Sequence, residues 1–349
     1  MMGKLIAGEI KKIMRPKALI TVAVLFLIFF IIFAIFYNIN WDSLLETVPS
    51  QIGDEDLSGY IEIINGDISF LKDVTSENVD QKIAYYEDLY NSSINQQDGM
   101  DYYYKGVVSI LDFVKANDLY GQNLNLAGYG GMNASAENFA LSYFSTVLGI
   151  LIIFAVVAMV SLYADEYQKG TIKLIMLRPV TVNQVTIAKI IAMFTVLLAL
   201  LGITTLIGFL YGLAAFGSIS MTNTIVLFNA RTVWQMTYGG YVFLVMLLGT
   251  FSLFSYGILA FALGTILKKK TPAILIGLVV LLGIISGLLS FIGIDRFMFS
   301  NVNDLSQFLG INYSLPYKAN FFIAMPMLIV YNAIMYFSVF FVTNKRDIV

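Results

Sequence analysis

The chain has 349 residues, 58% of them apolar, a net charge of −2, and neither histidine nor cysteine. Without imidazole or thiolate it has no zinc ligand set of the usual kind, no disulfide, no Ser-His-Asp or Cys-His catalysis and no His-Glu-x-x-His metalloprotease helix. It is therefore not expected to be an enzyme by itself, and a membrane-embedded enzyme ranks last among the readings considered.

The first seventeen residues read as an amphipathic interfacial helix (1–17). Leu5, Ile6, Ile10 and Ile13 fall on one side of a helix, and Lys4, Lys11, Lys12 and Arg15 on the other. Pro16 ends it. Glu9 lies near the apolar edge, where a lone carboxylate needs a partner, and a contact with another subunit is expected there.

Six apolar stretches follow, at about 18–38, 140–163, 188–216, 240–267, 272–293 and 320–342. A bilayer core of about 30 Å takes roughly twenty helical residues, so each is long enough to cross. The first runs through Phe36 without a small-residue cleavage site and reads as a retained anchor. The expected fold is an all-α membrane protein with six transmembrane helices. Residues 1–17 are the interfacial helix, 18–38 the first span, 39–139 an extracellular domain, and 140–349 the other five spans.

Charge sets the orientation. With the N-terminus in the cytosol and each span crossing over, 14 of the 21 basic residues are cytosolic and 19 of the 23 acidic residues are outside. The positive-inside rule is then satisfied, with cytosolic segments at +10 and outer ones at −12. The expected location is the plasma membrane, multi-pass, with both termini cytosolic; the composition suggests a low-GC bacterium. The basic residues sit beside spans, where orientation and lipid headgroups explain them, so no nucleic-acid partner is expected.

Residues 39–139 carry 17 acidic side chains against Lys72, Lys82, Lys105 and Lys115. From Ser76 to Asn117 the spacing of Ile83, Tyr86 and Tyr90, then Val107, Ile110, Leu111 and Val114, predicts a mainly helical domain. Its negative charge fits a solvated surface, or a vestibule that attracts a cationic substrate or peptide.

The segment between the second and third spans (164–188) is the most specific. Gly170 breaks the preceding helix, Thr171 can cap a short new one, and Pro179 limits that helix by disfavouring α geometry at Arg178. Thr181-Val182-Asn183-Gln184 has capping-box spacing and restarts a helix into the third span. The result is a short transverse helix whose Ile172, Leu174, Ile175, Met176 and Leu177 must face a partner, lipid or the span ends.

These residues resemble the permease subunits of type-2 ABC exporters, which have six spans and a separate ATPase. The pattern is an acidic residue, Gly-Thr, an apolar helix, Arg-Pro, and a Lys opening the third span: Glu166, Gly170, Thr171, Arg178, Pro179 and Lys189. The amphipathic first helix, the basic loop Lys268-Lys269-Lys270 and the C-terminal Asn344-Lys345-Arg346 also fit. The resemblance implies that the transverse helix is a coupling helix seated on the ATPase. Glu9 and Lys268 to Lys270 would then be secondary contacts, and 284–319 a half-inserted outer region. It implies two ABC ATPase subunits, a second permease copy or related permease, and membrane lipid as partners, with ATP and Mg on the ATPase and no cofactor in this chain. The absence of a Gly-x-x-x-x-Gly-Lys-Ser/Thr loop agrees with a borrowed energy source.

Gly208 with Gly212, and Gly283 with Gly287, have GxxxG spacing and are candidate helix-packing or subunit-interface sites. The expected function is export of an amphipathic or lipid-like substrate, such as a peptide, antibiotic or lipid-linked molecule. The other reading left open is a membrane sensor or scaffold whose outer domain binds a ligand and whose cytosolic loops recruit a signalling partner.

Overall fold

The computed structural model describes residues 2–14, 16–37, 74–96, 101–120, 125–126, 135–170, 181–218, 221–222, 224–229, 232–289, 294, 297–303, 305, 309 and 321–345. Helix α1 (Met2–Ile13) is followed by α2 (Pro16–Tyr37). The proline separates them as its fixed φ and missing donor require. Next come α3 (Val79–Gln96), α4 (Asp101–Ala116) and a short strand β1 (Asn125–Leu126). The body of the protein is α5 (Ala136–Gln168), α6 (Val182–Phe216), the hairpin β2 (Thr224–Asn229) and β3 (Thr232–Thr237), and α7 (Tyr238–Leu267). Then α8 (Lys270–Leu281), α9 (Ile284–Leu289), α10 (Phe299–Asn303) and α11 (Phe321–Lys345) complete the chain.

Among the described residues, four helices are long and apolar enough to cross a membrane: Ala136–Gln168, Asn183–Phe216, Tyr238–Leu267 and Phe321–Thr343. Helix α5 is the centre of the bundle. It packs along both α6 and α7, and its Phe139, Val147, Leu151, Val156, Met159 and Val160 are fully enclosed. Helix α2 reaches this core through its phenylalanines: Phe30 stands edge-on to Tyr143 and Tyr211, and Phe33 to Phe139. Hydroxyls inside the long helices are satisfied locally, as a dry environment demands. Thr146, Ser161, Thr195, Thr250 and Thr265 each donate to the carbonyl four residues before.

Helix starts are capped as their sequences dictate. Ser135 caps α5, Thr237 caps α7, and Thr181 with Gln184 forms a complete reciprocal capping box on α6. Helix α5 begins at Ala136, a turn earlier than the span expected from hydropathy, which brings Glu137 into its first turn.

Glycine spacing acts within the chain. A Cβ on Gly208 would collide with the Tyr143 ring, and one on Gly212 would stand 2.8 Å from Cα of Ala136. The α5–α6 contact therefore uses both positions, which places them inside the subunit rather than at a subunit interface. The second pair behaves differently. Gly283 has φ +65° and sits in the turn that ends α8, and nothing lies within 4 Å of a Cβ added to Gly287. The expected fifth span at 272–293 is consequently broken at Leu282-Gly283 into a twelve-residue and a six-residue helix. A left-handed residue cannot continue an α-helix, and glycine adopts it at least cost.

Among the described residues the architecture is helical apart from one three-stranded sheet that hydropathy did not anticipate. Strand β2 pairs in parallel with β1 and antiparallel with β3, with Leu227 opposite Trp234. Because side chains alternate across a strand, β2 serves two cores at once. Val226 joins Val107, Ile110, Leu111 and Val114 of α4 and Val79 of α3, whereas Ile225 and Leu227 join the helical-bundle core. Of the residues whose spacing predicted these faces, Ile83, Tyr86, Val107, Ile110, Leu111 and Val114 meet in this core, and Tyr90 is not part of it.

If the α5–α6 contact needs bare backbone at Gly212, then Gly212→Ala lowers stability by about 1–3 kcal/mol. Gly202→Ala, whose new Cβ meets nothing within 4 Å, leaves it unchanged or raises it. Thermal melting of both variants in one detergent compares them; equal melting temperatures would show that the contact is not close.

Candidate functional site, an ion-pair cluster at the α1 end of the bundle

Helix α5 has 33 residues and α6 has 35, so each is about 50 Å long at 1.5 Å per residue, well beyond a bilayer core of about 30 Å. Their excess length meets at the end of the bundle that carries α1, and ionisable groups collect there.

Three consecutive residues at the end of α5 reach three different neighbours, because each step around a helix turns by about 100°. Asp165 Oδ2 accepts from Lys270 Nζ at 3.3 Å, tying α5 to the start of α8. Tyr167 accepts a hydrogen bond from Lys268, whose ammonium also stands 3.9 Å from the centre of the Tyr167 ring. Glu166, between them, enters the central cluster.

That cluster has two carboxylates and two ammonium groups, each cation touching both anions. Lys189 Nζ lies 2.8 Å from Glu166 Oε1 and 3.2 Å from Glu9 Oε2. Lys12 Nζ lies 2.7 Å from Glu9 Oε1 and 3.1 Å from Glu166 Oε1. Burial is graded, with side-chain exposures of 2% for Lys189, 11% for Glu9, 17% for Glu166 and 48% for Lys12. A desolvated ammonium is costly unless paired and hydrogen-bonded, and a formally neutral set of four meets that requirement.

Burial alone raises the Glu9 carboxyl, but the charge of Lys189 and the hydrogen bond and charge of Lys12 outweigh it and hold Glu9 below its ordinary value. Burial likewise pushes Lys12 down, yet its hydrogen bond to Glu9 and the charge of Glu166 leave it raised.

The sequence predicted that Glu9 needs a partner and looked for it on another subunit. The structure supplies it from within the chain, 180 residues away in Lys189. Sequence reasoning placed Lys12 only on a basic face and passed over Asp165 and Tyr167. Their signal was an Asp-Glu-Tyr run closing an apolar span.

Gly170 ends α5 with φ +69°, and Gly170 N–H donates to the Tyr167 carbonyl. Thr171, Arg178 and Pro179 of the expected transverse helix lie outside the described residues. In the sequence Glu166 precedes that segment and Lys189 follows it, and these two are paired at 2.8 Å. Of the basic loop, Lys268 and Lys270 are engaged with α5. Lys268 also takes the left-handed conformation that ends α7, and Lys269 is exposed.

Long apolar helices packed around α5, with ionisable groups gathered at their ends, make the chain a helical membrane protein. It belongs to the family described as "Protein of unknown function (DUF2705)", whose family model matches residues 113–349. That match includes Glu166 and Lys189 but not Glu9 or Lys12. No curated protein and no solved structure matches the chain.

Burial predicts an ordered response to substitution. Lys189→Met removes the buried cation, leaves buried Glu9 and half-buried Glu166 with Lys12 alone, and costs about 3–5 kcal/mol, while Lys12→Met, at a half-exposed site, costs less than about 1 kcal/mol. Melting curves of the two variants decide this, and equal losses would contradict the assigned burial.

The pH dependence has two signs. A depressed Glu9 contributes stability that is complete above its ordinary value of about 4.3 and is lost as pH falls through its lower folded-state value. A raised Lys12 contributes stability that is complete below about 10.4 and is lost as pH rises through its higher folded-state value. The difference in melting temperature between the parent and Glu9→Gln should therefore be constant across neutral pH and shrink toward zero below about pH 4. A difference that persists undiminished in acid removes the ion-pair explanation.

Proposed function

We propose that this chain is the permease subunit of an ATP-driven exporter that moves an amphipathic or lipid-like substrate out of the cytoplasm or membrane. It would have six spans and an interfacial α1, with the α1 end of the bundle in the cytosol. It would work as a dimer, with itself or a related permease, and with two separate ATPase subunits that carry the ATP and Mg. The observation that carries the reading is the ion-pair cluster. A segment that receives force from a partner must be firmly held where it joins the spans, and the stretch after Glu166 and before Lys189 is bracketed by residues that bind each other. The chain's Glu166, Gly170, Thr171, Arg178, Pro179 pattern supports the same reading, with Arg178 as the contact and Glu166 as its anchor.

The sensor reading has one favouring observation: β2 shares residues with both the α3–α4 core and the bundle core. A ligand on α3–α4 would have a packed route to α6 and α7.

Purification of the tagged chain from its own membranes in mild detergent, with mass spectrometry of what accompanies it, separates the two. An ATP-binding cassette protein should co-purify with the parent and fall by about tenfold or more with Arg178→Glu, the scale expected when a charge-assisted contact is reversed. The melting temperature of the variant should be unchanged. Recovery of a kinase or another signalling protein in place of any ATPase would favour the sensor.

A further inference from the structure

A cavity of about 410 Å³ lies between α5, α6 and α7 at the end of the bundle opposite the ion-pair cluster. Helices α6 and α7 each pack along α5 but touch each other far less. At this end they leave a slot floored by Ala140 and Phe144 of α5. Leu198, Gly202 and Leu206, four residues apart on one face of α6, form one wall, and Val242 and Met246 of α7 the other. Leu198 and Leu206 are exposed. Because α6 and α7 are long and apolar enough to cross a membrane, the slot opens sideways into hydrocarbon.

A helix of a second copy, water or a lipid chain could fill such a slot, and size and chemistry leave one of them. Phe209 to Leu198 spans roughly 16 Å of α6. The volume spread over that length gives a section of about 25 Å², roughly 5 Å across, against about 10–12 Å for a helix with its side chains. A helix is too wide. Water stays in a cavity that offers it several polar partners. Here Thr205 and Thr250 each donate their one hydroxyl hydrogen to their own helix at 2.7 Å. Glu137, the one ionisable residue among the described lining residues, is 2% exposed and already engaged within the protein. An aliphatic chain has the right width, needs no polar partner and is the neighbour across the mouth of the slot. An empty slot would forfeit the dispersion contacts of its lining.

We propose that the slot binds one acyl chain of a bilayer lipid, entered from the side, and selects its guest by the chain and not by the head group. The described lining leaves no charge and no hydroxyl hydrogen over to read a head. With the proposed orientation the chain lies in the outer half of the membrane. The inference names a bilayer lipid, recognised by its tail, as the exporter's substrate class and rests on that reading for its physiological role. Occupancy itself needs no ATPase.

The test places the full chain in nanodiscs containing phosphatidylcholine with a mid-chain diazirine, followed by photolysis and peptide mass spectrometry. Adducts should appear on Ala140, Phe144 and Leu201, which line the slot and are otherwise buried, as well as on the exposed Leu210 and Leu213. Gly202 lines the slot and a Cβ added there meets nothing within 4 Å, so Gly202→Leu can fill it. That variant should lose the adducts on Ala140 and Phe144 and keep those on Leu210 and Leu213. If it does not fold, Leu206→Trp, at an exposed lining position, should give the same result. Phosphatidylglycerol and phosphatidylethanolamine with the same chain should label the slot to within about twofold of phosphatidylcholine, since a charge-assisted head contact would appear as about tenfold. Absence of adducts on the three buried residues, adducts there that survive in a folded variant, or a head-group preference of about tenfold overturns the proposal. Disulfide formation between copies at Leu206→Cys with no lipid adduct in the slot also overturns it, by showing a second copy there. Capture of an ATPase without slot adducts overturns the slot alone, and slot adducts without capture leave the slot standing and overturn the exporter.

Discussion

A lysine that is 2% exposed cannot be left unpaired in a folded protein, and the packing at one end of this bundle follows from that constraint. Lys189 stands on α6, but the carboxylates that neutralise it come from α1 and from the last turn of α5. Pairing it therefore fixes three separate segments against one another. The amphipathic α1 has few other strong reasons to hold one place, since Glu9 is its one buried residue among those described. Its apolar side would cover many surfaces comparably, whereas hydrogen-bonded ion pairs select a register. The neighbouring Asp165–Lys270 and Tyr167–Lys268 contacts extend the same logic to α7 and α8. The end of α5 is thus held on three sides.

The opposite end is held by shape rather than charge. Bare backbone at Gly208 and Gly212 lets α6 approach Tyr143 and Ala136, and the Ala136 N–H donates to the Gly217 carbonyl at 2.7 Å. Tyr238 and Asn138 hydrogen-bond across α7 and α5. Strand β2 then carries the packing outward, with Val226 on one side and Ile225 and Leu227 on the other. At this end α5, α6 and α7 also leave an apolar cavity lined by Ala140, Phe144, Gly202 and Val242.

Much of the local structure was legible in the sequence because it depends on neighbours in the chain. Pro16 separating two helices, Gly170 ending one, the Thr181–Gln184 capping box, and the faces of α3 and α4 all rest on spacings of a few residues. Two kinds of feature were not legible. The Glu9–Lys189 pair joins residues 180 apart, and hydropathy records only that Glu9 is out of place, not where its partner lies. The break at Gly283 sits inside an apolar run, where mean hydropathy is blind to a single left-handed residue. The β hairpin had a local signal in Thr224-Ile225-Val226-Leu227 and Thr232-Val233-Trp234, rich in β-branched residues, but it was overshadowed by the long apolar helices on either side. The GxxxG pairs show the limit of motif reading: one is a tight contact and the other a turn.

The central claim is that the cluster around Lys189 fastens α1 to the bundle. The absence of cysteine from the natural chain permits a direct test. Spin labels on cysteines placed at the exposed positions Lys4 of α1 and Lys169 after α5 report their separation by pulsed electron resonance, with and without Lys189→Met. A single narrow distance distribution in the parent that broadens or shifts in the variant, while the rest of the bundle remains folded, is the predicted result. An identical narrow distribution in both would mean that α1 is held by its apolar face alone, and the account would lose its anchor.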